Sequence, residues 1–470
     1  MDRHKSGRNG LLSFRPNAES FETRVVLSHV GISMTASVPS SLFRLAPAYH
    51  LVRPNTPVAP FGSPLATATF VDPYSQILNG NHSVIGQKSY VGPFAVLDAR
   101  SGFIKIGSGS DVLDNARIVA TVAPQRGLPT TSVFLGDSVS IGFGATVNGP
   151  STISAYGASA KPTGIGPNAL IDGATIRPGA VVGALARVGP GVTVPAGIYV
   201  LPGANVTTNA EASNPALGKV EALPASVLTD LTASLTRGSQ LAAGYTNLYQ
   251  GNSATGVNPG VDATVTGVNN GNLAAVRGTS QEPGPTTTTA ATGITFEPSK
   301  TGPKFHGPHK PSVEGDLSNF PARITGDVRF AARARNVASH LGRGNAFRAD
   351  QGQPINFAGA PATGPNVTIN SPLGGTVTTG STTKTVGGVT IGKNFAANSG
   401  AVLLGGPDAS YTVGDNVTLG GGSVVDRSSI GAGASIGSRA YVSQSTVAPG
   451  EVVAPGTILI KNKVVGTVAW

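Results

Sequence analysis

Val182-Gly-Ala-Leu-Ala-Arg-Val188-Gly-Pro-Gly-Val-Thr-Val194-Pro-Ala-Gly-Ile-Tyr-Val200-Leu-Pro-Gly-Ala-Asn-Val206 puts a valine at every sixth position. A period of six fits neither an amphipathic helix nor a simple two-sided strand. It fits a coil of short strands joined by corners, with one aliphatic residue per side pointing inward. Stacked coils then bury those residues as continuous ladders. Working outward, the same spacing joins Ile85, Val91 and Leu97, then Ile106, Val112 and Ile118, then Leu135, Ile141 and Val147, then Ile165 and Ile171. Glycine follows many of them, as at Gly86, Gly92, Gly142 and Gly183, and suits the corners. The signal returns at Ile391, at Val413, Leu419 and Val425, at Ile430, Ile436 and Val442, and at Val447, Val453 and Leu459. The chain is therefore read as an all-β protein with two parallel β-helices.

Composition supports that reading. In 470 residues there are 64 glycines and 35 prolines, while only 12% of residues are charged. That suits turn-dense coils and low-complexity linkers. The formal charge of +10 invites a nucleic-acid partner. Much of the basic character, however, sits in the N-terminal arm (Arg3, Lys5, Arg8, Arg15) and between Lys300 and Arg348, with no interleaved aromatic stripe. No nucleic-acid partner is expected, and no apolar run is long enough to span a bilayer. The absence of cysteine excludes disulfides, thiol nucleophiles and thiolate zinc sites.

Residues 1–60 read as a sorting or flexible segment, 80–210 as the first β-helix, and 215–250 as an amphipathic helix packing on it. Residues 251–311 read as a low-complexity linker and 312–470 as the second β-helix. The helix rests on Val227, Leu228, Leu231, Leu235, Leu241, Tyr245 and Leu248, against the opposing tendency of Gly238 and Gly244. Stretches 121–131 and 155–163 interrupt the period and should project as loops. Trp470 is read as a cap on the apolar end of the second coil stack.

Two resemblances follow from particular residues. Arg348-Ala-Asp-Gln-Gly-Gln-Pro-Ile355 resembles the Arg-x-Asp-x-Gly-x-Pro-Ile signature of gamma-class carbonic anhydrases. Val194–Gly203 and Val206–Ala212, followed by a helix, resemble the end of that family's solenoid. The resemblance implies left-handed coils, a homotrimer, and a zinc held by three histidines at the subunit interface. Such a metal would lower the pKa of a bound water to about 7 and make hydroxide available. Near the N-terminus, Glu19, Phe21, Glu22, Arg24, Leu27 and Ser28 resemble the sorting motif of exported planctomycete proteins. That implies export, to the periplasm, cell surface or exterior, and an extracellular or cell-surface partner that the sequence does not name.

The ligand positions depart from the pattern. In the first solenoid Val119, Phe143 and Asn148 stand where the histidines are expected, Leu113 replaces a site glutamine, and the Arg-x-Asp pair is reversed as Asp98 and Arg100. In the second, Asn370, Ser399 and Leu404 fill the three positions. Hydrocarbon side chains cannot ligate zinc, and amide or hydroxyl oxygens replace imidazole poorly. No cofactor is expected. Arg348 and Asp350 are retained, and an interface ion pair explains them better than catalysis. His306 and His309 have a spacing that can chelate, but they sit in a Pro/Gly-rich stretch without a third ligand; His82 and His340 read as surface residues. The leading reading is a tandem solenoid without catalysis, serving a structural or binding role. Its alternatives are a carbonic anhydrase with a different, unrecognised ligand set, in which zinc would be the cofactor, and a hexapeptide acyltransferase. The last generally needs a loop histidine as general base, and the rungs and loops show none.

Overall fold

A computed structural model describes residues 69–72, 75–78, 82–120, 132–249, 288–289, 295–296, 304–305, 322–326, 328–330, 341–349, 354–371, 375–379 and 382–470. The N-terminal motif, the loop at 121–131, His306, His309, His340 and Asp350 lie outside them.

The six-residue period becomes three ladders in the first solenoid. Val91, Val112, Ile141, Ile165, Val182 and Val200 are successive register partners on one face. Leu97, Ile118, Val147, Ile171, Val188 and Val206 form the second ladder. Ile85, Ile106, Leu135, Ile153, Ile176 and Val194 form the third. All are buried. Within the coils every pairing is parallel, so each face buries its inward aliphatics against the coils above and below. The corner glycines are forced by that stacking: a Cβ on Gly136 would lie 2.1 Å from the carbonyl oxygen of Ala155.

The second solenoid repeats the arrangement, with Phe347, Ile369, Leu403, Val425, Val442 and Leu459 as one ladder. The chain is a pair of left-handed parallel β-helices. The first described strand of the first, Phe70–Val71, precedes the expected boundary at 80. Lys304–Phe305, inside the stretch read as linker, pairs with Val328–Phe330 and belongs to the second. Thr288–Thr289 pairs with Thr295–Phe296, and a two-stranded hairpin, Gly375–Thr379 with Thr382–Val386, leaves the second coil stack.

Two helices follow the first solenoid. Helix α1 spans Asn209–Ser213, with Thr208 and Glu211 forming a reciprocal capping box. Helix α2 spans Ala225–Tyr249 and lies on the face that carries Phe70–Val71, Tyr90–Val91, Asp111–Val112 and Val139–Ile141. It buries Leu231 and Leu235 against Val181. Its two glycines look like helix breakers in sequence; Gly238 instead lets the helix settle, because a Cβ there would stand 2.7 Å from an Asp111 carboxyl oxygen.

The two solenoids lie side by side along a seam. At one end Arg323 donates to Asp72 Oδ2 at 2.9 and 3.1 Å, both side chains buried. Next, Arg348 pairs with Asp114, also buried, and its guanidinium lies 5.2 Å from the centre of the Tyr90 ring. Corner residues of the first solenoid continue the contact. Asn115 and Asn168 adopt left-handed backbone at φ 61° and 53°, a conformation asparagine tolerates. Asn115 Nδ2 donates to Thr368 Oγ1 at 3.0 Å, and Asn168 Nδ2 reaches the carbonyls of Gly400 and Gly422. Between them Phe70, Tyr90, Leu113, Phe143 and Leu185 pack with Val402 and Val424 of the second solenoid.

Trp470 belongs to this seam, which corrects its reading as an end cap. Its indole Nε1 donates to the Leu185 carbonyl at 2.6 Å, and Arg439 lies 4.2 Å over its ring. The last coil is covered instead by the antiparallel strand Lys463–Thr467. The C-terminal chain comes back because Ala469 N–H finds the Gly203 carbonyl at 2.9 Å.

Breaking one partner of a buried ion pair leaves an uncompensated charge, at a cost of about 3–5 kcal/mol. Arg348→Ala should therefore lower unfolding stability by about that much and shift the emission of Trp470, the only tryptophan, to the red. Denaturant titration and fluorescence check this. The double change Arg348→Met with Asp114→Leu should restore most of the loss.

Candidate functional site

Within one chain, the six positions that the resemblance would assign to zinc ligands are not grouped solenoid by solenoid. Asp98, Val119, Asn148 and Asp172 are register neighbours in one column of the first solenoid. There Asn148 Nδ2 lies 3.4 Å from Asp172 Oδ1, and Arg100 grips Asp98 through Nε at 2.9 Å and through a second nitrogen at 2.6 Å. That bond to Arg100 holds the Asp98 carboxyl below its usual range. Phe143 is not with them. It sits at the preceding corner and is buried in the seam.

In the second solenoid Arg348, Asn370, Leu404, Asp426 and Ser443 form one column, and this column faces the seam. Ser399 lies on an exposed corner. The structure thus brings together Phe143 from one solenoid with Asn370 and Leu404 from the other, and Leu113 stands beside them. It separates Val119, Asn148 and Ser399 from this group. Arg348 finds its partner in Asp114 of the first solenoid.

These residues line one end of a cleft of about 960 Å³. Its walls are the coil strands around Ile165 and Val181, the α2 residues Val227, Leu231 and Gln240, and the Asn370 column. A Cβ at Gly164 would lie 2.9 Å from the Leu231 side chain, so the helix can sit close only over glycine. Away from Phe143, the lining turns polar. Arg427 bridges Asp230 of α2 at 2.9 Å and its neighbour Asp426 at 3.4 Å. Ser443 Oγ donates to Asp426 Oδ2 at 3.1 Å. Burial pushes the Asp426 carboxyl upward, only partly offset by Arg427. Burial likewise raises the Tyr199 and Tyr441 hydroxyls, helped by the nearby Asp426 charge.

Sequence reasoning missed Asp426, Tyr199, Tyr441, Arg427 and Asp230. One signal was present: in a chain poor in charge, Val424-Val425-Asp426 places a carboxyl directly beside an inward-facing ladder residue. Which column would face a partner could not be read from that spacing.

No family model matches the chain, and no curated protein matches it. Among solved structures it is similar to a hexapeptide transferase family protein from Anaplasma phagocytophilum, at 17% identity, covering 38% of this chain and 92% of that one, with a TM-score of 0.28. It is also similar to a putative acetyltransferase from Bacillus cereus, at 18% identity, 38% and 92% coverage, and a TM-score of 0.20. Neither likeness says anything about chemistry. The chain carries the hexapeptide-repeat β-helix fold.

Behind the cleft wall lies Asp111, buried between its register neighbours Tyr90 and Ser140 and the underside of α2. Among the described residues no hydrogen bond of normal geometry reaches either carboxyl oxygen. Burial raises its pKa to about 7, with Ser140 and Arg237 as smaller opposing influences. The folded protein then holds this proton where the unfolded chain has lost it. Stability should fall as pH rises from about 4 to about 7, and the slope should vanish above that. Asp111→Asn, followed by denaturant titration across pH 4–8, should remove this component and leave the variant more stable than the parent at pH 8.

Proposed function

We propose that the protein is an exported, tandem gamma-carbonic-anhydrase-like β-helix whose metal site has been given up in favour of a binding or structural role without catalysis. The observation that carries this is the convergence of Phe143, Asn370 and Leu404 on one cleft between the solenoids. The resembled family builds its zinc site between bodies, and here the two bodies belong to one chain. The side chains at the shared location do not fit zinc: Phe143 and Leu404 offer hydrocarbon, and Asn370 a single amide. Among the described residues no group of three or more histidine, cysteine, aspartate or glutamate side chains could hold a metal ion.

Export is supported by Glu19, Phe21, Glu22, Arg24, Leu27 and Ser28, and its partner would then be at or beyond the cell surface. A homotrimer is supported by the resemblance and by the column Asp98–Val119–Asn148, which remains outside the seam. Acyl transfer is the weaker reading, because no histidine lines the cleft among the described residues.

Two measurements test the proposal. Elemental analysis of protein purified without chelator or histidine tag should find zinc far below one per chain; about one per chain would reinstate the enzyme, with His306, His309 and His340 the first residues to mutate. Restoring the ligands should discriminate the composite site from the separate ones. Phe143→His with Asn370→His and Leu404→His should bind one zinc per chain, whereas Val119→His with Phe143→His and Asn148→His should not.

A further inference from the structure

The polar end of the cleft is a built site that the metal positions do not explain. Arg427 is already committed, held by Asp230 and Asp426 together. What remains available includes a carboxyl oxygen and a phenol oxygen, both able to accept. Asp426 Oδ1 and the Tyr199 hydroxyl make no hydrogen bond to a described residue, and the Asp426 side chain keeps 18% of its surface open. Tyr441 stands beside them, close enough to both to interact electrostatically. The charge is unbalanced as well. Asp230 and Asp426 on the lining are matched by the two guanidiniums of Arg237 and Arg427, so the surplus negative charge rests on Glu221, the register partner of Tyr199.

We propose that this end of the cleft binds a primary ammonium group carried on an apolar body. An ammonium brings three donors. Asp426 Oδ1 and the Tyr199 oxygen can accept two of them, and the tyrosine π-systems favour a cation nearby. Its charge offsets the excess carboxylate, while the body lies along Val181, Leu231 and Phe143, the apolar part of the lining. The cleft volume is within the range of small-molecule sites. An alcohol of the same body brings one donor and no charge, and a carboxylic acid brings the wrong charge. The assignment uses only the cleft's own groups, so the zinc content of the protein does not bear on it.

Three probes with one body separate these cases: 4-phenylbutylamine, 4-phenylbutanol and 4-phenylbutyrate, titrated against the full chain with ligand-observed NMR. The amine should bind at least about tenfold more tightly than the alcohol, as expected for a charge-assisted hydrogen bond, and the acid should not bind measurably. Asp426→Asn should reduce amine affinity by about tenfold while leaving alcohol affinity unchanged. Tyr199→Phe, which keeps the ring, should weaken the amine by a smaller factor. The assignment is overturned if the acid binds best, if amine and alcohol bind equally, if none of the three binds, or if Asp426→Asn binds the amine as the parent does. A circular-dichroism spectrum and thermal midpoint matching the parent would show that the Asn variant is folded.

Discussion

Two guanidinium–carboxylate pairs buried between the solenoids, Arg348 with Asp114 and Arg323 with Asp72, govern how this molecule is put together. Charges removed from water are tolerated only when paired, so each arginine constrains where the opposite solenoid can lie. Corner asparagines then set the register along the seam, because their amides reach carbonyls and a hydroxyl on the facing coils. Trp470 adds a hydrogen bond at the far end. Two elongated coil stacks, each complete in its own core, thereby become one body with a defined cleft.

The cleft inherits its character from a single column on the second solenoid. Coils in such a stack repeat at about 4.8 Å, the spacing between neighbouring strands. Successive column residues therefore present different chemistry to adjacent parts of one wall. Arg348 ties the seam, Asn370 and Leu404 meet Phe143, and Asp426 with Ser443 makes the polar end. Hydrocarbon from Phe143 and Leu404 fills one part of the wall, while ionisable groups gather one coil further along. The same scaffold can support either arrangement, because outward residues do not enter the ladders. Fold and chemistry are separable here for that reason.

Helix α2 closes the cleft, and close approach is what allows it. Glycines at 164 and 238 remove the side chains that would hold the helix away from the coils. The approach buries Asp111, a carboxyl with little to compensate it. Replacing a helical glycine with alanine ordinarily favours a helix by about 1 kcal/mol. At Gly238 that preference is overridden by tertiary packing.

By itself, the sequence determined the coils. A six-residue aliphatic period such as Val182 to Val206 can be buried only by stacking, so the ladders and the parallel faces were legible. Helix α2 was legible too, from its apolar spacing, although Gly238 argued against it. The periodicity that reveals a coil is insensitive to what lies outside it. It could not say that Asp114 would face Arg348, that Trp470 would return to Leu185, or that Phe143 would leave Val119 and join Asn370. Those pairings depend on how two finished solenoids meet, across separations of more than two hundred residues, and no local pattern encodes that geometry. Tertiary structure alone decided the seam, and with it the cleft.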